Sequence, residues 1–150
     1  MNNQALKDFV TCKSVAVVGA SATKKKYGNT ALRELRTRGF DVLAVHPTAK
    51  SIDGISCFPS LAALPSKPDG VFVCVQPEKV KAVLREAAAA GIPRVWLQQG
   101  AESPAADDLA RELGLHLVSG VCILMYMQPV RGIHALHRGV MRLFRRLHAT

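Results

Sequence analysis

The sequence predicts a Rossmann-like, doubly wound α/β domain, and three observations carry that expectation. Short apolar runs rich in Val alternate with helical stretches from Ser14 to Ser119, the signature of βαβ units and a parallel sheet covered on both faces. The helical stretches carry starts and stops of the expected kind: Pro77 and Pro104 sit where a first helical residue belongs, Ser103 where a cap belongs, and Gly39 where a helix must stop. The first apolar run also ends on Gly19 and opens straight into a turn rich in hydroxyls and lysines before a helix, as phosphate-binding βα connections do.

Taken in order, Ser14–Val18 is the first strand, and a helix over roughly Thr30–Arg38 follows it. Asp41–Val45 is the second strand, closed by His46-Pro47, with a loop and a short helical turn near Ser60–Leu64 beyond it. Gly70–Val75 is the third strand and Pro77 opens a helix that runs to Ala90. Ile92–Leu97 is the fourth strand, Ser103–Leu113 a helix, and Leu115–Ser119 the fifth strand. Right-handed crossovers allow a mainly parallel five-stranded sheet in the order 3-2-1-4-5. Its switch point is expected between the first and fourth strands, with Gly19–Asn29 and Gln98–Gly100 flanking the crevice.

Residues 1–150 are expected to form one domain, since this length supports a single core. No apolar stretch approaches the ~20 residues that span a bilayer, and Met1–Val10 lacks the apolar region of a signal peptide. The four cysteines, Cys12, Cys57, Cys74 and Cys122, have no paired short spacing, which argues against a zinc knuckle or a CxxC motif and for reduced thiols in a cytoplasmic protein. The net charge of +9 favours an anionic partner. Part of it is concentrated in Lys24–Lys26, and part in Arg131–Thr150, which holds five arginines and no carboxylate.

The first βα connection reads Gly19-Ala20-Ser21-Ala22-Thr23-Lys24-Lys25-Lys26-Tyr27-Gly28-Asn29. Gly19 lets the backbone turn and approach a ligand closely, Ser21 and Thr23 bring hydroxyls, and the free N–H groups of the next helix favour an anion. The lysines either neutralise phosphate or form a solvated charge run. The dinucleotide fingerprint is not met, because Ser21 and Lys24 stand where GxGxxG requires glycine. Nor does an acid follow the second strand to hold ribose hydroxyls. Val45-His46-Pro47 stands there, with Lys50 shortly after. A cation in that place suits a phosphorylated ribose, as in CoA or NADP, better than NAD.

The runs VAVVGAS, KKYGN, GFDVLAVHP, VWLQQGAES and GVCILM, in this order, resemble the small stand-alone CoA-binding protein family. That family is similar to the CoA-binding domain of the succinyl-CoA synthetase α subunit. The resemblance spans about Lys13–Leu147 and implies CoA lying across the carboxyl ends of the strands. It places Gly19, Ala20, Ser21, Thr23 and Lys24 along the diphosphate and Lys26, Gly28 and Asn29 at the mouth of the first helix. His46, Pro47 and Lys50 flank the adenosine end, with Lys50 beside the ribose phosphate. Val75, Gln76 and Pro77 pack on the adenine, and Gln98, Gln99 and Gly100 meet the diphosphate or the pantetheine. Two features depart from the family: Asn-Pro is commoner than His46-Pro47, and the C-terminal segment is unusually basic.

Cys122 falls in the family's C-I-x-M position, where its thiol either faces the pantetheine or is a buried apolar cysteine. His134 and His137 share a helical face, but a third metal ligand is not evident. The amphipathic basic helix expected over about 131–148 docks on the sheet or a second subunit, or meets anionic lipid or nucleic acid. Few aromatics argue against a base-stacking platform. Trp96 is expected in the core with a partner for its indole N–H. The expected function is a non-catalytic CoA or acyl-CoA carrier, sensor or accessory module, alone, as a homodimer or beside an acyl-CoA enzyme. The alternative is an NAD(P)-binding oxidoreductase or redox sensor on the same scaffold.

Overall fold

The computed structural model describes residues 3–127. The basic helix expected over about 131–148, with His134 and His137, lies outside the described residues. In chain order the elements are α1 (Asn3–Val10), β1 (Ser14–Val18), α2 (Tyr27–Thr37), β2 (Asp41–Val45), β3 (Ser51–Ile52), β4 (Ile55–Phe58), β5 (Gly70–Val73), α3 (Pro77–Ala89), β6 (Arg94–Leu97), α4 (Pro104–Glu112) and β7 (His116–Val118). They form one sheet in the order β3-β4-β2-β1-β5-β6-β7. Every pairing is parallel except that of β3 with β4. The Rossmann-like doubly wound class therefore stands.

The strand count and one assignment differ from the sequence reading. The place beside β2, expected for the third strand, belongs to β4, which pairs with β2 through Ala44↔Cys57 and Val45↔Phe58. Gly70–Val75 was expected there, but β5 (Gly70–Val73) lies on the other side of β1, in register Val18↔Val73. The switch point accordingly sits between β1 and β5, not between β1 and the strand ending at Leu97. The hairpin that supplies β4 turns at Asp53 (φ 51°) and Gly54 (φ 76°), the Asp-Gly pair of a two-residue turn whose twist matches its flanking strands. Arg33 of α2 holds Asp53 at 2.8 Å.

Alternation along the strands splits the core in two. Val15 and Val17, Phe72 and Trp96 face α1 and α2. Ala16, Val71 and Val73, Val95 and Leu97 face α3 and α4. Period-2 placement on strands buried on both faces gives this division directly. Helix α1 covers the α2 face near β6 and β7, with Phe9 edge-on to Trp96 at 5.4 Å. A Cβ on Gly70 would lie 2.9 Å from the Phe9 ring, so the glycine makes room for it. Trp96 is fully buried and its indole N–H donates to the Val121 carbonyl at 3.1 Å. Among the described residues no helix is long and apolar enough to cross a membrane.

Candidate functional site at the carboxyl edge of the sheet

A cleft of about 1000 Å³ opens along the carboxyl ends of β1, β2, β5 and β6, over the switch point, where ligands of open α/β sheets bind. One wall is the β1–α2 connection. Gly19 has φ 117° and lies so close to β5 that an added Cβ would be 2.1 Å from the Cys74 carbonyl oxygen. Gly28, in the first turn of α2, packs back on the same loop: its Cβ would lie 2.7 Å from the Gly19 carbonyl oxygen. Both positions demand glycine for close backbone approach.

Between these glycines the loop is shaped by Asn29. This side chain is buried; its Oδ1 accepts the backbone N–H groups of Ser21 (3.0 Å) and Lys26 (3.3 Å), and its Nδ2 donates to the Ser21 carbonyl (2.9 Å). The bond to Lys26 resembles the reach-back half of a capping box and explains why α2 begins at Tyr27 rather than Thr30. Ser21 Oγ accepts from Thr23 N–H (3.3 Å) and Lys24 N–H (3.1 Å), closing a second small turn. No carboxylate lies within ion-pair distance of Lys24, Lys25, Lys26 or Lys50 among the described residues.

The opposite wall comes from β5 and β6. Gln98 follows β6 and its backbone N–H donates to Val73 O at 2.9 Å, which sets it beside Cys74. The Gln98 side chain is 7% exposed, and its Oε1 accepts the Ile123 N–H at 3.3 Å. That bond fixes the amide orientation, and the Nε2 donors have no protein partner among the described residues. Burial raises the Cys74 thiol above its ordinary value, against the lowering effect of the Gly28 N–H and Lys26.

Residues 13–128 match a family model described as a CoA binding domain. The chain belongs to the CoA-binding domain family. This CoA-binding domain is 36% identical over 89 residues to acetate–CoA ligase (ADP-forming) II of Archaeoglobus fulgidus, a match that takes in 58% of this chain and 13% of the ligase. It is 26% identical over 111 residues to an uncharacterized protein of Bacillus subtilis, covering 74% of this chain and 82% of that one. Among solved structures, a conserved hypothetical protein from Pyrococcus furiosus superposes with a TM-score of 0.70 at 37% identity, over 74% of this chain and 96% of that one. The domain thus spans nearly all of some stand-alone chains and a small part of the curated ligase.

Of the residues the sequence singled out, Gly19, Ala20 and Lys26 line the cleft from the loop, His46 and Pro47 from the end of β2, Val75, Gln76 and Pro77 from the β5–α3 connection, and Gln98, Gln99 and Gly100 from the end of β6. Gly28 and Asn29 are buried behind the loop. Ser21, Thr23 and Lys24 sit on the loop outside the cleft wall, and Lys50 is exposed at the entrance to the β3–β4 hairpin. Cys122 lies under the first turn of α2, where its Sγ is 2.8 Å from the Tyr27 hydroxyl.

Sequence reasoning missed Cys74, Thr48, Pro59 and the α3 face of this CoA-binding domain, where Glu78, Lys79 and Glu86 line the cleft. Helical periodicity from Pro77 could have put Glu78, Ala82 and Glu86 on one face. Glu86 is held by the backbone N–H of Leu61, a contact across 25 residues that no local pattern encodes. Among the described residues no group of three His, Cys, Asp or Glu is placed to hold a metal ion.

Proposed function

We propose that this domain holds CoA or an acyl-CoA across the carboxyl edge of its sheet, as a non-catalytic carrier, sensor or accessory to an acyl-CoA enzyme. The observation that carries the reading is the β1–α2 loop: a backbone cradle shaped by buried Asn29, closed by two obligatory glycines, and flanked by lysines without acidic partners. Such a loop at a helix N-terminus suits a diphosphate. The residues fit the cofactor's chemistry in other respects. Gly19, Ala20 and Lys26 would hold the diphosphate, with Ser21, Thr23 and Lys24 reaching over it from the rim. Val75 and Pro77 would give the adenine an apolar shelf beside Gln76. His46, Pro47 and Lys50 would meet the ribose end.

Gln98 would offer its two amide protons to an acceptor on the ligand, with Gln99 and Gly100 beside it. When bound, the cofactor would supply a thiol able to carry an acyl group as a thioester; the protein's part is to bind and orient it. Cys122, engaged by Tyr27, would lie behind the first turn of α2, not against the diphosphate. The match to a part of the Archaeoglobus acetate–CoA ligase, 13% of that enzyme, supports a CoA-holding role beside acyl-CoA chemistry, as an accessory to an acyl-CoA enzyme or as a homodimer. Four free thiols agree with a cytoplasmic setting, where such thiols stay reduced.

A thermal-shift titration with CoA, acetyl-CoA, NAD and NADP, repeated on Lys50→Ala, tests this. A ligand at one hundred times its dissociation constant stabilises the native state by about 2.7 kcal/mol. Stabilisation by CoA or acetyl-CoA and not by NAD, weakened in the variant, is the expected result. A response to NAD or NADP alone overturns the reading in favour of dinucleotide chemistry.

A further inference from the structure

His46 occupies the position, directly after β2, where dinucleotide-binding domains place an acid that accepts hydrogen bonds from ribose hydroxyls. Here the ring is held by its own turn. Nδ1 accepts the backbone N–H of Thr48 at 3.2 Å and of Ala49 at 3.0 Å, while the His46 N–H itself donates to Phe58 O at 2.9 Å and ties the turn to β4. A nitrogen that accepts two N–H groups carries no hydrogen, so the single proton of the neutral ring sits on Nε2. Nε2 lies on the edge of the ring turned away from those amides, it has no protein partner among the described residues, and His46 lines the cleft. The site that usually presents an acceptor to ribose therefore presents a donor.

The surroundings favour an anion there. Lys50 has no carboxylate within ion-pair distance among the described residues. Asp53, the next acid along the chain, is committed to Arg33 at 2.8 Å. Asparagine, which the resemblance gives as the commoner residue here, could accept the same two amide protons through its carbonyl oxygen but would lack the imidazole's opposite edge.

We propose that His46 is a specificity-determining residue that reads the phosphorylated ribose of the cofactor, its Nε2–H donating to an oxygen of the 3′-phosphate while Lys50 supplies the charge. This rests on the CoA reading and adds a prediction that reading does not make. His46→Asn keeps the acceptor for Thr48 and Ala49 and deletes only the Nε2 donor.

The test is calorimetric titration of the 150-residue chain and of its His46→Asn variant with CoA and with 3′-dephospho-CoA. The wild type should prefer CoA. The variant should bind CoA about tenfold more weakly, as expected for one hydrogen bond to a charged group, and 3′-dephospho-CoA unchanged. Equal weakening of both ligands, or weakening of neither, overturns the inference while leaving the CoA reading in place; failure of the wild type to bind either ligand overturns both. A nitrogen-proton correlation spectrum of the wild-type imidazole needs no variant. It should show hydrogen on Nε2 in the free protein and a shift of that resonance with CoA but not with 3′-dephospho-CoA; hydrogen on Nδ1 would refute the arrangement.

Discussion

Gly19 and Cys74 are packed backbone against backbone: a Cβ at position 19 would sit 2.1 Å from the Cys74 carbonyl oxygen. The same residue has φ 117°, a conformation that L side chains rarely adopt. Gly19→Ala must therefore push β1's connection away from β5 at the switch point. A loss of about 3 kcal/mol in urea-unfolding free energy is expected, together with loss of CoA binding. A variant as stable as the wild type would mean that the two connections do not pack as described.

Gln98 links the cleft to the segment after β7, accepting the Ile123 N–H on one side and offering on the other amide protons that have no partner among the described residues. Gln98→Glu keeps the acceptor and replaces the donor by a second acceptor. The fold should survive, with Trp96 fluorescence unchanged, while affinity for CoA falls about tenfold. Unchanged affinity would show that the Gln98 amide does not touch the ligand.

Arg38 ends α2 and fastens the last described turn of the chain. Its side chain is 3% exposed and Nη1 donates to Leu124 O (3.1 Å) and Met127 O (2.7 Å), while Nη2 meets Glu34 at 3.3 Å. Arg38→Met removes donors from both carbonyls and leaves Glu34 without its cation. About 2 kcal/mol of stability should be lost, with earlier hydrogen exchange at Met125–Met127. Protection equal to the wild type there would argue that other contacts hold the turn.

Burial pushes the Cys12 thiol up from 9.0 to about 11. The unfolded chain therefore ionises this thiol first, so its contribution to stability is complete below pH about 9 and is lost as pH rises toward about 11. Comparing Cys12→Ala with the wild type isolates this from lysine titration. The difference in unfolding free energy between the two should shrink across that window, and alkylation of native Cys12 should be slow at pH 8. A difference independent of pH would contradict the burial of the thiol.

Much of this was legible in the sequence because it is local. The alternation of Val15, Val17 and Ala16, the cap at Ser103 and the prolines opening α3 and α4 each speak within a few residues. The hairpin is also written locally, in Asp53-Gly54 between two isoleucines, but β4 is short and half-polar, and its residues alone do not tell a strand from a loop. Because β4 takes the place beside β2, Gly70–Val73 lies on the other side of β1, and the switch point lies there with it. Helix α1 has no such local signal, because its anchor, Phe9 against Trp96 and Gly70, is a tertiary contact. At the site, glycines and lysines announced the loop, whereas the roles of Asn29, Cys74 and Glu86 depend on what lies opposite them once the strands are ordered. The tautomer of His46 could not be read at all before the turn at Thr48–Ala49 was seen.

The buried amide of Asn29 has one more consequence, for how such a loop can change over time. Its three hydrogen bonds fix the path of the chain, while Thr23, Lys24 and Lys25 stand exposed, and Thr23 and Lys24 join the turn through their backbone N–H groups. Shape and charge are thus held by different residues. Descendants of this chain could trade those outer side chains for others, and so drift toward new anions, without first having to reinvent the cradle.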